Sequence, residues 1–260
     1  KEHVNKANLL RFICDESGSK GFADNEEKFE GEYGVFAGYF LTEKNYESLK
    51  TQFKTIYNKY VIAGQKLHIT DLAPENQENL RKEVFDCLHN ENISCVYEAI
   101  SVKGYNREFV NLTEIKKKQT EELTDKLSFS KNIEKERLHS ELFQALLGKA
   151  IAYYIDTVGD EIDIQIITDN IDDSLKKEFE LKAKELINPL DTPIKIKAFD
   201  KEKKQPIAKT MTFTSEQLND NISKTSFNII IEDNELSLIA DILANTVSHY
   251  LKKAVANNPN

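Results

Sequence analysis

The chain has 260 residues, a formal net charge of −9, 40% hydrophobic residues and 30% charged residues. That length holds one large domain or two small ones with a real core, while the acidic balance argues against a general polyanion binder. No apolar run is long enough for a membrane span, and no secretory leader is visible at the start. The only methionine is Met211, so the chain is expected to lack its initiator. Cys14, Cys87 and Cys95 lack metal-type spacing and sit in apolar contexts, as small core residues in a reducing cytoplasm would.

Taken in chain order, Leu9, Leu10, Phe12, Ile13 and Cys14 predict a buried strand that stops on Asp15 and Glu16, followed by Ser17-Gly18 turn chemistry. Neighbouring strand side chains point to opposite faces, so the two acids cannot share one surface. Residues 18–31 read as a loop, and 33–41 as an inner strand apolar on both faces. An amphipathic helix is expected over 43–60, a short strand over 66–70, and a helix opened by Pro74. A strand over 93–102 precedes a charge-rich helical insertion, 105–131, that lies over the domain or reaches a protein partner. Leu138, Leu142, Leu146, Ala150, Tyr154 and Val158 mark the buried stripe of a long helix, 133–158.

A strand over 162–167 ends on Thr168-Asp169-Asn170, the second to terminate on an acid, and a helix follows over 174–187. A strand around Ile194, Ile196 and Ala198 leads into a polar excursion, 201–224. A last strand, 227–231, and a closing helix, 235–253, complete the pattern, with Asp233 as the helix cap and 257–260 as a disordered tail. Strands first, then alternating helix and strand, predict a single α/β domain over 1–256: a mixed sheet with helices on both faces. Lysines 195, 197, 201, 203, 204 and 209 form a basic patch, and Lys116 to Lys118 another. Either contacts phosphate or is simply a solvated face.

Asp15 and Asp169 sit at strand ends, and Asp241 sits on the flank of the closing helix with Ser237, Asn245 and Ser248. A lone acid on such a helix is ordinarily solvent-facing, but the run around Asp241 is unusually apolar, and Ala240 and Ala244 leave room for close packing. Strand ends gather at one sheet edge, where crevices form. Carboxylates converging there repel one another unless they hold hard divalent cations, which prefer oxygen ligands. Two such ions about 4 Å apart activate a water and stabilise the leaving oxygen of a phosphodiester.

Asp15-Glu16-Ser17-Gly18, the 166–170 run Ile-Ile-Thr-Asp-Asn and the 236–244 run Leu-Ser-Leu-Ile-Ala-Asp-Ile-Leu-Ala resemble the DESG-motif family of unknown function (domain of unknown function 3800). The resemblance spans most of the chain but rests on these short motifs. It implies a ribonuclease H-like fold and a Mg2+- or Mn2+-dependent nuclease acting on DNA or RNA, in bacteria or phages and near mobile or defence genes. Carried over by position, Asp15 matches the acid of the first strand, Asp169 the acid ending the fourth, and Asp241 the acid on the closing helix. Glu16 matches the second letter of the motif, as an ancillary ligand or base. Gln65 stands where family members often carry Glu, which means a missing ligand or a retuned site.

Lys66 and His68 are secondary candidates: His68 to position a water, shuttle a proton or bind phosphate, and Lys66 to neutralise developing charge. The alternative is a polar outward strand face, with Asp71 capping the next helix. His89, His139 and His249 are scattered on helix faces, and no HxxxH or CxxC spacing suggests zinc. No GxxxxGK[ST] or GxGxxG loop appears, and Ser17 lacks the GxSxG context of a nucleophile. The rival to a nuclease is a non-catalytic interaction module whose acids fix the fold or bind one structural cation. A phosphatase or nucleotide hydrolase using the same metals is a third option.

Overall fold

The computed structural model describes residues 9–61, 67–122, 127–129, 136–158, 163–187, 194–200, 203–211, 225–232 and 234–257. In chain order these form β1 (Leu9–Gly18), β2 (Tyr33–Thr42), α1 (Glu43–Tyr60), α2 (Pro74–Asn90), β3 (Cys95–Ser101), α3 (Val102–Glu122) and β4 (Leu127–Phe129). They continue with α4 (Leu138–Val158), β5 (Asp163–Thr168), α5 (Asp173–Ile187), β6 (Ile194–Asp200), β7 (Gln205–Met211), β8 (Ser226–Ile231) and α6 (Glu235–Asn257).

The main sheet has the order β3-β2-β1-β5-β8. Strands β1, β2 and β3 run as an antiparallel meander, whereas β5 lies parallel to β1 and β8 parallel to β5. The apolar strand β1 is therefore central and covered on both faces. Phe12 and Cys14 face a core built with α4 and α5, and Phe143 stacks on Phe179 there with ring centroids 4.0 Å apart. Ile13 faces the other way, into a core shared with α1, α2 and α6. Gly38 pairs with Cys14, and a Cβ on it would lie 2.6 Å from the Ile13 carbonyl oxygen, so β2 packs this closely only without a side chain at that position. At the far end Gly18, with φ of +84°, supplies the left-handed turn out of β1.

The expectation of a mixed sheet with helices on both faces holds. Several boundaries and one element type differ. The stretch expected as a strand over 66–70 is extended only at Leu67 and His68, then closes into a 3₁₀ turn, Ile69–Asp71. Burial of Ile69 and the bond from the Asp71 amide to the His68 carbonyl (3.0 Å) favour the turn over a strand with no partner. The helix expected over 105–131 begins at Val102 and ends at Glu122; Leu127–Phe129 then pairs with β6. Part of the expected polar excursion is strand: β7 pairs antiparallel with β6 from Gln205 to Met211, and 212–224 lies outside the described residues. Strands β4, β6 and β7 make a separate three-stranded sheet. Helix α6 runs on to Asn257, and 258–260 falls outside the described residues. Cys95, expected in the core, is exposed. Among the described residues no helix is long and apolar enough to cross a membrane.

Candidate functional site

Register decides where the first two acids go. Cys14 pairs with Thr168 in the parallel β1–β5 ladder, so Asp15 and Asp169 are the next residue on each of two adjacent strands. Neighbouring strands lie about 4.8 Å apart, which brings these two acids to one sheet edge. The amide of Glu16 donates to Asp15 Oδ1 (2.8 Å), and that of Asn170 donates to Asp169 Oδ1 (2.6 Å). Each carboxylate thus has one oxygen engaged by the backbone that follows it.

Helix α6 crosses β1 and β2 and brings the third acid. Its N-terminus is anchored by the Tyr39 hydroxyl, which donates to the Leu236 carbonyl (2.9 Å). Asn234 caps it, with Oδ1 accepting from the Leu236 amide (2.8 Å) and the Ser237 amide (3.2 Å). Asn234 therefore takes the cap expected of Asp233, which lies outside the described residues. Arg81 of α2 donates to Asn245 Oδ1 (2.8 Å), fixing the helix further along. Ala240 and Ala244 are fully buried, so the helix packs close to the sheet and Asp241 is carried in with it.

Asp15, Asp169, Asp241 and His68 line one cleft of about 280 Å³. Asp241 Oδ2 lies 3.9 Å from His68 Nδ1, and the two side chains are 24% and 46% exposed. The 3₁₀ turn after His68 buries Leu67 and Ile69 and leaves the imidazole free to face the cleft. Lys66 and Gln65 lie outside the described residues. Asp71 sits in the turn itself; Ala73, not Asp71, occupies the cap position of α2.

Glu16 goes elsewhere. It is the next residue on β1, so its side chain leaves on the α4 side of the sheet, where Lys20 forms an ion pair with Oε1 and His139 Nε2 lies 3.4 Å from Oε2. The structure therefore brings Asp15, Asp169, Asp241 and His68 into one cleft and places Glu16 behind it. Three further residues of the cleft were not named as site candidates from the sequence. Glu235 adds a fourth acid, while Tyr57 of α1 and Leu238 of α6 make apolar wall. The acid at the first turn of α6 could have been noticed as a dipole-complementing Glu beside a strand end; nothing local points to Tyr57.

Burial pushes the Asp15 carboxyl up to about 9, with further pressure from the charge of Glu16 and then of Asp241. Burial works on Glu16 in the same sense but loses: hydrogen bonding and charge from His139 and Lys20 hold it down at about 2. Burial and the nearby charges of Glu16 and Asp241 thus favour the protonated Asp15 carboxyl, and a cation entering the cleft would compete with that proton. The donors are carboxylate oxygens and one imidazole without a thiol, which suits a hard divalent ion. Among the described residues no group of three His, Cys, Asp or Glu is already arranged to hold a metal ion.

Of the two basic patches, Lys203 and Lys204 are exposed at the β6–β7 turn and Lys117 and Lys118 are exposed on α3, while the side chains of Lys116, Lys195, Lys197, Lys201 and Lys209 lie outside the described residues. No protein-family model matches this chain, and no curated protein is significantly similar to it.

Proposed function

We propose that this cleft is the active site of a divalent-metal-dependent nuclease with a ribonuclease H-like fold, in which Asp15, Asp169 and Asp241 hold Mg2+ or Mn2+. One observation carries the reading: Asp15 and Asp169 leave adjacent parallel strands side by side, and α6 brings Asp241 into the same cleft. The order of elements adds support. Strand β5 is the fourth strand of the main sheet in chain order, and Asp169 follows it directly, as the resemblance to the DESG-motif family implies.

Charge supports the reading too. The described residues lining the cleft include four acids and neither lysine nor arginine, so an anionic phosphodiester needs a cation there to be held at all. A bound divalent ion supplies Lewis-acid polarisation of a phosphoryl oxygen and a water acidic enough to attack it. The chain's own groups do the rest. Asp241 lies close enough to orient the His68 imidazole, which faces the open side of the cleft and is placed to accept or return a proton. Tyr57, Leu67 and Leu238 offer an apolar wall for the sugar or base beside the scissile phosphate.

A panel of labelled DNA and RNA, single- and double-stranded, titrated with Mg2+ and Mn2+, tests this. Cleavage by the wild type that falls by about 100-fold or more in Asp15→Asn is expected. No cleavage of any substrate, or undiminished cleavage by Asp15→Asn, refutes it. The alternative is a non-catalytic interaction module whose acids fix the fold or bind one structural cation. Thermal stabilisation by Mn2+ in wild type but not in Asp169→Ala, without any cleavage, would select that alternative.

A further inference from the structure

Among the described residues, His139 is the one histidine that is almost wholly buried, and it takes no part in the cleft. It sits in the first turn of α4, 4% exposed, with the rings of Phe36 and Phe179 each 5.3 Å from its own. A solvated helix-face histidine would need none of this enclosure. Its Nε2 lies 3.4 Å from Glu16 Oε2, while Lys20 takes the other carboxylate oxygen from the loop side. Lys20 thus holds one oxygen of Glu16 on the α4 side of the sheet, and the buried His139 Nε2, which has no hydrogen-bond partner, lies within ion-pair distance of the other. Glu16 is also the residue whose amide holds Asp15 Oδ1 (2.8 Å) on the opposite side.

We infer that His139 and Lys20 form a clamp on Glu16 that aims Asp15 into the cleft, making His139 a positioning residue and Glu16 a buttress rather than a metal ligand. The proposal rests on the reading of the cleft as a divalent-cation site. Its physics is simple. Beyond Cys14 the end of β1 is paired with β2 alone, because the ladder to β5 stops there, so this end is held along one edge only. Gly18 closes the strand with φ of +84°. A carboxylate bound to Lys20 at one oxygen and flanked by the His139 imidazole at the other restrains the Glu16 backbone, and through its amide the neighbouring Asp15 carboxyl. The burial of His139 between two core rings makes the clamp's inner jaw rigid.

The test measures Mn2+ affinity by electron paramagnetic resonance of the free ion, so it needs no turnover. His139→Leu, which removes the donor, and Lys20→Met, an exposed position that does not threaten folding, are each expected to weaken Mn2+ binding by about tenfold. His139→Gln retains an N–H toward Glu16 and is expected to bind within about threefold of wild type, a rescue that mere filling of the core would not give. Unchanged binding in Lys20→Met and in folded His139→Leu overturns the clamp. So does tighter binding in either, which would mean that the freed Glu16 enters the cleft as a ligand. Asp15→Asn serves as the control. If it too binds Mn2+ like wild type, the cation reading itself has failed and takes the clamp with it; if Asp15→Asn alone loses binding, only the clamp is lost.

Discussion

Replacing Asp15 by Asn without any divalent ion present isolates the cost of assembling the cleft. In the folded protein burial, Glu16 and Asp241 push the Asp15 carboxyl up to about 9, against 3.8 for the free side chain. The sign follows from proton counting. Between these two values the folded chain holds a proton that the unfolded chain releases, so this group's contribution to stability falls as pH rises from about 4 towards 9. Each unit of that interval is worth about 1.4 kcal/mol, and allowing for solvent at the cleft mouth the accumulated cost at pH 7 is about 2–4 kcal/mol. Asparagine has no such proton to surrender. Asp15→Asn should therefore be more stable than wild type by about 2–4 kcal/mol at pH 7 and by progressively less towards pH 4. Urea unfolding followed by circular dichroism in EDTA, at several values between pH 4.5 and 8, reads this directly. Adding Mn2+ should then reverse the order, stabilising wild type and not the variant. A variant that is less stable than wild type at pH 8 in EDTA, or a gain that does not vary with pH, refutes the reasoning.

The remaining predictions use other parts of the structure. Glu16 has the opposite sign: held down at about 2 against an ordinary 4.5, it contributes stability above pH 4.5 that is lost as pH falls towards 2. Glu16→Gln should thus cost about 1–3 kcal/mol at pH 7 and almost nothing at pH 2, measured by the same urea titrations. His68→Gln should lower the cleavage rate by about 100-fold while Mn2+ affinity, read by calorimetry, stays near wild type; an equal loss of both would make His68 a ligand instead. Phe179→Ala removes a ring that is fully buried and stacked on Phe143, and should cost about 3–5 kcal/mol in chemical denaturation, a loss that no divalent ion restores.

What could be read from the sequence was whatever a short window contains. The apolar run of β1 gives way to two acids and that of 163–168 to a third, which marks where the acids sit. Strand β1 itself does not stop there but continues through both to Gly18, because β2 pairs with it. Asp241 was legible because its neighbours are too apolar for a solvated turn. The side on which Glu16 leaves the sheet was not legible, since it depends on which face of β1 meets α4, and that is settled by partners more than a hundred residues away. His139 looked like one scattered histidine among several for the same reason. The choice of Asn234 over Asp233 as cap is a matter of one residue, below what periodicity resolves. The stretch at 66–70 alternates for too few residues to separate a strand from an extended entry into a turn, and strand β4 inside an expected helix exists because β6 supplies its ladder.

The acids of the cleft come from the beginning, the middle and the end of the chain: Asp15 on β1, Asp169 after β5 and Asp241 on α6. During synthesis the hairpin of β1 and β2 can form early, yet its acid has no neighbour until β5 slots in beside it. The third carboxylate arrives only once α6 has followed β5 and β8 out of the ribosome. Whatever chemistry the cleft performs is therefore withheld from any chain that stops short of α6.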